Sequence, residues 1–156
     1  MATDTTALAK TALIEALEKL RDEVGNLAEP LTEAEFWSKP LDPGNSVGHL
    51  VLHLSGNLNH FVGGQLGGSG YVREREREFT ETQVPSKGQA LQQLENAVAT
   101  FRKVVSGLST EQLAAPHPET RFGNVMSALT HLLAHFALHR GQMSYIVRLV
   151  KKPLAA

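Results

Sequence analysis

Cysteine is missing altogether from this chain of 156 residues. That excludes disulfides, thiolate metal ligands and any protein thiol acting as nucleophile. Also missing is a run of about 20 apolar residues, the length a helix needs to span a bilayer. The opening MATDTTALAK has neither the basic n-region nor the long apolar h-region of a secretory signal. Charge of one sign is not in excess: 15 Lys and Arg stand against 16 Asp and Glu. A nucleic-acid binder ordinarily carries a basic excess or stripe. Neither nucleic acid nor membrane is therefore an expected partner, and the expected location is the cytoplasm. Strand-like alternation is not sustained in any segment, so the expected class is all-α. The length suits one domain over residues 1–156 with a real core.

What is present is helical periodicity. From Thr6 to about Leu27, apolar residues recur at Leu8, Ala12, Leu13, Ala16, Leu17, Leu20, Val24 and Leu27, the three-and-four spacing of an amphipathic helix. Pro30 ends it, and Thr32 with Glu35 reads as the capping box of a short helical turn. Ser46 caps a second long helix expected over Val47–Gln65, stopped by Gly67, Gly68 and Gly70. Ser86 and Gln89 form a second box opening a third helix with a stripe from Leu91 to Leu108. A short STEQL turn and a Pro-rich loop follow, then a fourth helix from about Asn124 to Leu149. Four helices of about 20 residues predict a four-helix bundle. The connection Leu66–Pro85 is too long for a hairpin. It is read as a crossover that lets the second and third helices run parallel.

The fourth helix carries His131, His135 and His139, four residues apart on the side of its leucines. Positions i and i+4 lie one turn apart on one face, so His135 and His139 can reach one metal ion. His131, one turn further back, is too far to join the same ion. An ion between helices needs a ligand from elsewhere, and the second helix offers His49 and His53 at the same spacing. Gly56 and Asn57 follow His53, a small residue leaving room beside a polar one. The plainer reading is that these histidines are core groups satisfied by hydrogen bonds. That reading is preferred for His60, off the His53 column, and for His117, between two prolines in a loop.

The stretches SVGHLVLHLSGN and RFGNVMSALTHLLAHFALHRGQM resemble the DinB-like superfamily of metal-binding four-helix bundles. The resemblance covers nearly the whole chain. Its most specific part is His135, His139, Arg140, Gly141 and Gln142, with His53 in the position of the family's earlier histidine. It implies a metal site of His53, His135 and His139, a bundle with a long crossover, and often a homodimer. Three protein ligands leave a coordination position open, as in catalytic sites. An all-imidazole set fits Zn²⁺ or Ni²⁺ best among several divalent ions.

The superfamily includes thiol-dependent relatives. The resemblance therefore implies a metal-dependent enzyme that transfers a low-molecular-weight thiol to a small electrophile. The alternatives are a metal-dependent hydrolase and a non-catalytic metal-binding stress-response protein. Asn57 and Gln142 are candidates to orient the reacting groups. In the crossover, YVREREREF alternates Arg and Glu. In an extended chain that would align Arg73, Arg75 and Arg77 on one face, able to bind a cosubstrate's acidic groups. The competing reading is a solvated, salt-bridged loop.

Overall fold

The structure, a computed structural model, describes residues 4–152; the expected domain limits at 1–3 and 153–156 lie outside the described residues. Its elements are α1 (Thr5–Ala28), α2 (Glu33–Trp37), α3 (Val47–Leu58), α4 (Arg77–Thr80), α5 (Lys87–Gly107), α6 (Thr110–Ala114) and α7 (Val125–Lys151). No strand occurs among the described residues. The all-α bundle expectation therefore holds.

The capping signals work where the sequence places them. Thr32 and Ser86 each complete a reciprocal capping box, and the Ser46 side chain accepts from the His49 backbone N–H. Each such cap satisfies backbone donors that the first turn leaves free, a contribution of about 1 kcal/mol.

One helix differs from expectation. The second long helix does reach the glycines, but it is α-helical only to Leu58 and continues as a π-helical turn over Asn59–Gly64. The wider turn leaves the Phe61 carbonyl without a backbone donor, because Gln65 N–H goes to His60 and Leu66 N–H to Val62. His117 fills that gap. Its Nε2 donates to the Phe61 carbonyl at 3.2 Å, while its Nδ1 accepts from the Glu119 N–H at 3.0 Å. The loop histidine is thus 1% exposed and structural.

Helix directions follow from side-chain pairs. Lys10 donates to the carbonyls of Ser106 and Leu108, and Arg21 pairs with Glu95, so α1 and α5 are antiparallel. Gly63 faces Thr100 and Gly67 faces Val104, so α3 and α5 run parallel. Phe61 meets Phe122 edge to face while His53 meets His135, so α3 and α7 are antiparallel. The bundle runs up, down, down, up, with α1 and α3 diagonally opposed across a core that includes Leu17, Leu54, Phe101 and Phe136. The crossover of residues 65–86 is what allows α3 and α5 to run the same way.

Candidate metal centre

His53, from the middle of α3, and His135 and His139, one turn apart on α7, meet between the two helices. Their ring nitrogens lie within 4.8 Å of one another. The Nε2 atoms of His53 and His135 are 3.1 Å apart, and those of His135 and His139 are 3.0 Å apart. Three imidazoles on one tetrahedral ion with Zn–N bonds of about 2.0–2.1 Å would stand roughly 3.3 Å apart. The spacing is therefore close to that of a shared ion.

The tautomers favour the same use. His53 Nδ1 lies 2.8 Å from the Glu78 carboxylate, and His139 Nδ1 lies 2.7 Å from the Gln142 carbonyl oxygen. Both acceptors require Nδ1 to carry the proton, so in the neutral rings each Nε2 turns a lone pair to the centre. His135 Nδ1 is buried with no partner among the described residues. Its Nε2 touches both neighbours, yet it has one hydrogen-bonding position to serve two. Hydrogen bonding among the three rings leaves this cluster unresolved, whereas a single electron-pair acceptor at the centre would satisfy all three.

Burial also keeps the rings neutral. Desolvation, with His139 and His53 beside it, pushes the His135 pKa down to about 3 from an ordinary 6.5. Desolvation lowers His139 too, against the hydrogen bond to Gln142.

Glu78, in the crossover, was not among the sequence candidates. It sits on α4 and is 7% exposed. Arg73 grips its carboxylate in a two-pronged pair at 2.7 and 2.9 Å. Burial raises the Glu78 pKa, but the hydrogen bonds from His53 and Arg73 outweigh it and hold the carboxyl below its ordinary value. The chain Arg73–Glu78–His53 is the arrangement that orients a metal-binding imidazole and raises its basicity. Gly56 makes this possible: a Cβ there would collide with the Glu78 carboxylate. The room beside His53 that the sequence suggests is thus filled by a glutamate. Two further contacts tie α4 down, Lys39 donating to the Phe79 carbonyl and His49 Nε2 donating to the Glu81 carbonyl, both at 3.0 Å.

The remaining candidates are distributed unevenly. His49 has both ring nitrogens engaged, by Ser46 and Glu81, and stays outside the cluster. A cavity of about 130 Å³ opens on His53 and His135, with Asn57, Arg73, Arg75 and His131 in its walls. Arg121 of the short 3₁₀ turn Thr120–Phe122 joins them. Arg77 does not. The chain has no regular structure at Arg73, turns at Arg75 and is helical at Arg77, so the expected single face of three arginines is broken. Arg77 instead pairs with Glu74 and Glu81 at 2.7 and 2.6 Å beside a separate groove. Arg140 lies 2.8 Å from Glu23 and ties α7 to α1. Trp37 packs its ring against Gly48, away from the cavity.

Two solved structures share the fold. A conserved protein from Enterococcus faecalis superposes with a TM-score of 0.74 at 19% identity, covering 96% of this chain and 99% of the other. YfiT from Bacillus subtilis, described as a probable metal-dependent hydrolase with an unusual four-helix bundle topology, gives a TM-score of 0.71 at 18% identity, covering 91% and 87%. No curated protein sequence matches the chain. Residues 12–150 match the family described as mycothiol-S-transferase. With nearly its full length inside that match and the bundle in place, the chain belongs to the mycothiol-S-transferase family, a DinB-like family.

Proposed function

We propose that the protein is a divalent-metal-dependent transferase that joins a low-molecular-weight thiol to a small electrophile. The observation that carries this reading is the cavity. Polar groups, Asn57 and Arg75 among them, surround an opening onto His53 and His135. A scaffold site would be sealed by packed leucines, and a purely structural zinc site would be closed by a fourth protein ligand. Membership of a thiol-transferring family supports the choice of chemistry, and a chain without cysteine must take its thiol from outside.

His53, His135 and His139 would hold the ion, with Zn²⁺ and Ni²⁺ suited to three imidazoles. When bound, the metal would supply Lewis acidity that favours thiolate over thiol near neutral pH. The protein's own groups do the rest. Glu78 and Gln142 fix the tautomers of His53 and His139. Asn57, in the cavity wall, offers an amide to orient the reacting group. Arg75, which makes no ion pair among the described residues, offers its guanidinium to an acidic group on a bound small molecule. Arg73 has its charge balanced by Glu78 and acts mainly through it.

The test is elemental analysis of the purified protein followed by a thiol panel. Mycothiol, bacillithiol, glutathione and coenzyme A are each offered to monochlorobimane, with metal and after chelation. In the reaction a sulfur–carbon bond forms and a carbon–chlorine bond breaks; chloride leaves with the electron pair and the thiol proton passes to solvent. The expected result is about one metal ion per chain and a metal-dependent rate with at least one thiol. If every thiol reacts only at the uncatalysed rate, the transferase reading fails and ester or amide hydrolysis is the activity to assay next.

A further inference from the structure

We infer that the cavity beside the three histidines is a carboxylate subsite framed by Arg75 and Arg121, so that one of the two cosubstrates carries a carboxylate. The idea that there are two cosubstrates rests on the transferase reading; anion binding in the cavity does not.

The argument begins with where each arginine finds its counter-charge. Five of the eight arginines, Arg21, Arg73, Arg77, Arg102 and Arg140, approach a carboxylate within 2.6–2.8 Å. Arg121 comes only within 3.6 Å of Glu119, and Arg75 and Arg148 make no ion pair among the described residues. Arg148 lies over Tyr145, an exposed ring on the outer face of α7. The other two both line this cavity.

Among the described residues, no carboxylate lines the cavity beside them. Glu78, beside the cavity, already has its oxygens taken by Arg73 and His53, and Glu119, outside the lining, approaches Arg121 only to 3.6 Å. Three guanidiniums therefore face one small space, and of the three only Arg73 has a carboxylate in close contact. Solvent screens the exposed charges of Arg75 and Arg121 from one another, yet their shared sign favours the entry of a negative group over a neutral one.

Both arginines are also held. The Arg121 guanidinium lies 4.7 Å from the Phe122 ring centre and 5.5 Å from that of Phe61, and Arg75 lies 5.6 Å from that of Phe79. Aromatic contact steadies a guanidinium without using its N–H donors. Among the described residues neither side chain donates a hydrogen bond, so the planar forks that match carboxylates are free.

Size narrows the ligand. The cavity measures about 130 Å³, against about 300 Å³ or more for a drug-sized pocket. It takes the acidic end of a small molecule, not a whole cofactor. Exposed His131 stands in the same wall and can add a donor.

The binding experiment uses zinc-loaded full-length protein, with succinate as probe and succinamide as its uncharged match, followed by calorimetry. Succinate should bind, and succinamide should bind at least tenfold more weakly. Arg75→Gln and Arg121→Gln should each weaken succinate by about tenfold or more, as expected for losing a charge-assisted hydrogen bond. Arg121→Lys should recover part of that loss, and Arg148→Gln should match the wild type. If wild-type protein does not bind succinate, or if both glutamine variants bind it as the wild type does, the subsite is wrong. This holds whether or not thiol transfer is observed.

A kinetic arm then identifies the bearer of the carboxylate. Glutathione is paired with 4-chloro-3-nitrobenzoate and with the corresponding benzamide. If the electrophile carries the recognised group, Arg121→Gln raises KM for the benzoate alone, with kcat retained. If the thiol carries it, the same variant raises KM for glutathione with both electrophiles. An unchanged KM in every pairing, in an active enzyme, overturns the subsite as a substrate site.

Discussion

The Glu78 carboxylate accepts a 2.8 Å hydrogen bond from His53 Nδ1, across 25 positions of sequence. One partner comes from a bundle helix and the other from a connection. The bond fixes which nitrogen of His53 is free and increases the electron density it can offer.

Removing that carboxylate should weaken the metal. In Glu78→Gln, affinity is expected to fall by about 10–100-fold, the usual effect of losing such a partner. Competition against a chelating dye measures it. Glu78→Ala should also destabilise the fold by roughly 3–5 kcal/mol, because Arg73 is left as a buried charge without its partner. Urea unfolding of the chelated protein separates this from the metal effect. Equal metal affinity in wild type and Glu78→Gln would show that the contact does not tune His53.

Gly56→Ala is expected to act through Glu78. The added methyl occupies the place of the carboxylate, so the crossover must lift or α3 must shift, at a cost of about 1–3 kcal/mol. Metal affinity should fall along with stability, although residue 56 ligates nothing. Combining Gly56→Ala with Glu78→Ala should recover much of the stability cost, which a double-mutant cycle would detect.

The histidines should divide into two groups. His135→Ala with His139→Ala should abolish metal binding, and His53→Ala should severely weaken it, by equilibrium dialysis with elemental analysis. His117→Ala should leave stoichiometry intact but lower stability by about 1–3 kcal/mol, because the buried Phe61 carbonyl loses its donor. Loss of metal in His117→Ala or His60→Ala would move the site.

Acid should act in a stated window. His135 is held to about 3 against an ordinary 6.5. Between those values the unfolded chain takes up a proton that the metal-free folded chain refuses. Stability of the chelated protein therefore falls as pH drops from 6.5 toward 3. His spacing alone suggests that metal leaves below about pH 6; burial of His135 and His139 shifts that loss to more acid values. Dialysis at graded pH, with circular dichroism at each step, measures both. Complete release by pH 6 with the fold intact would contradict it.

The sequence made some of these relationships visible and hid others for physical reasons. His135 and His139 were readable because a helix has a fixed period, and the Thr32, Ser46 and Ser86 caps because they act within three residues. Glu78 was hidden because Glu74, Glu76 and Glu78 look alike in REREREF, and only the path of the crossover selects one. The same path separates Arg77 from Arg73 and Arg75. Arg121 was hidden because it reaches the cavity from a short 3₁₀ turn before α7, with no local periodicity to place it. The π-helical turn after α3 leaves no composition signal beyond the glycines at 63 and 64.

The parallel course of α3 and α5 requires a long connection, and that connection has a consequence for how such a protein can diversify. The three imidazoles stand on helices that the core locks in place. Arg73, Arg75 and Glu78 stand on a strap that can be lengthened or exchanged without repacking those helices, since surface connections tolerate change better than cores do. Ligand geometry and ligand tuning are thus separately heritable. A graft of residues 71–81 from a relative onto this bundle would be expected to carry that relative's substrate preference with it.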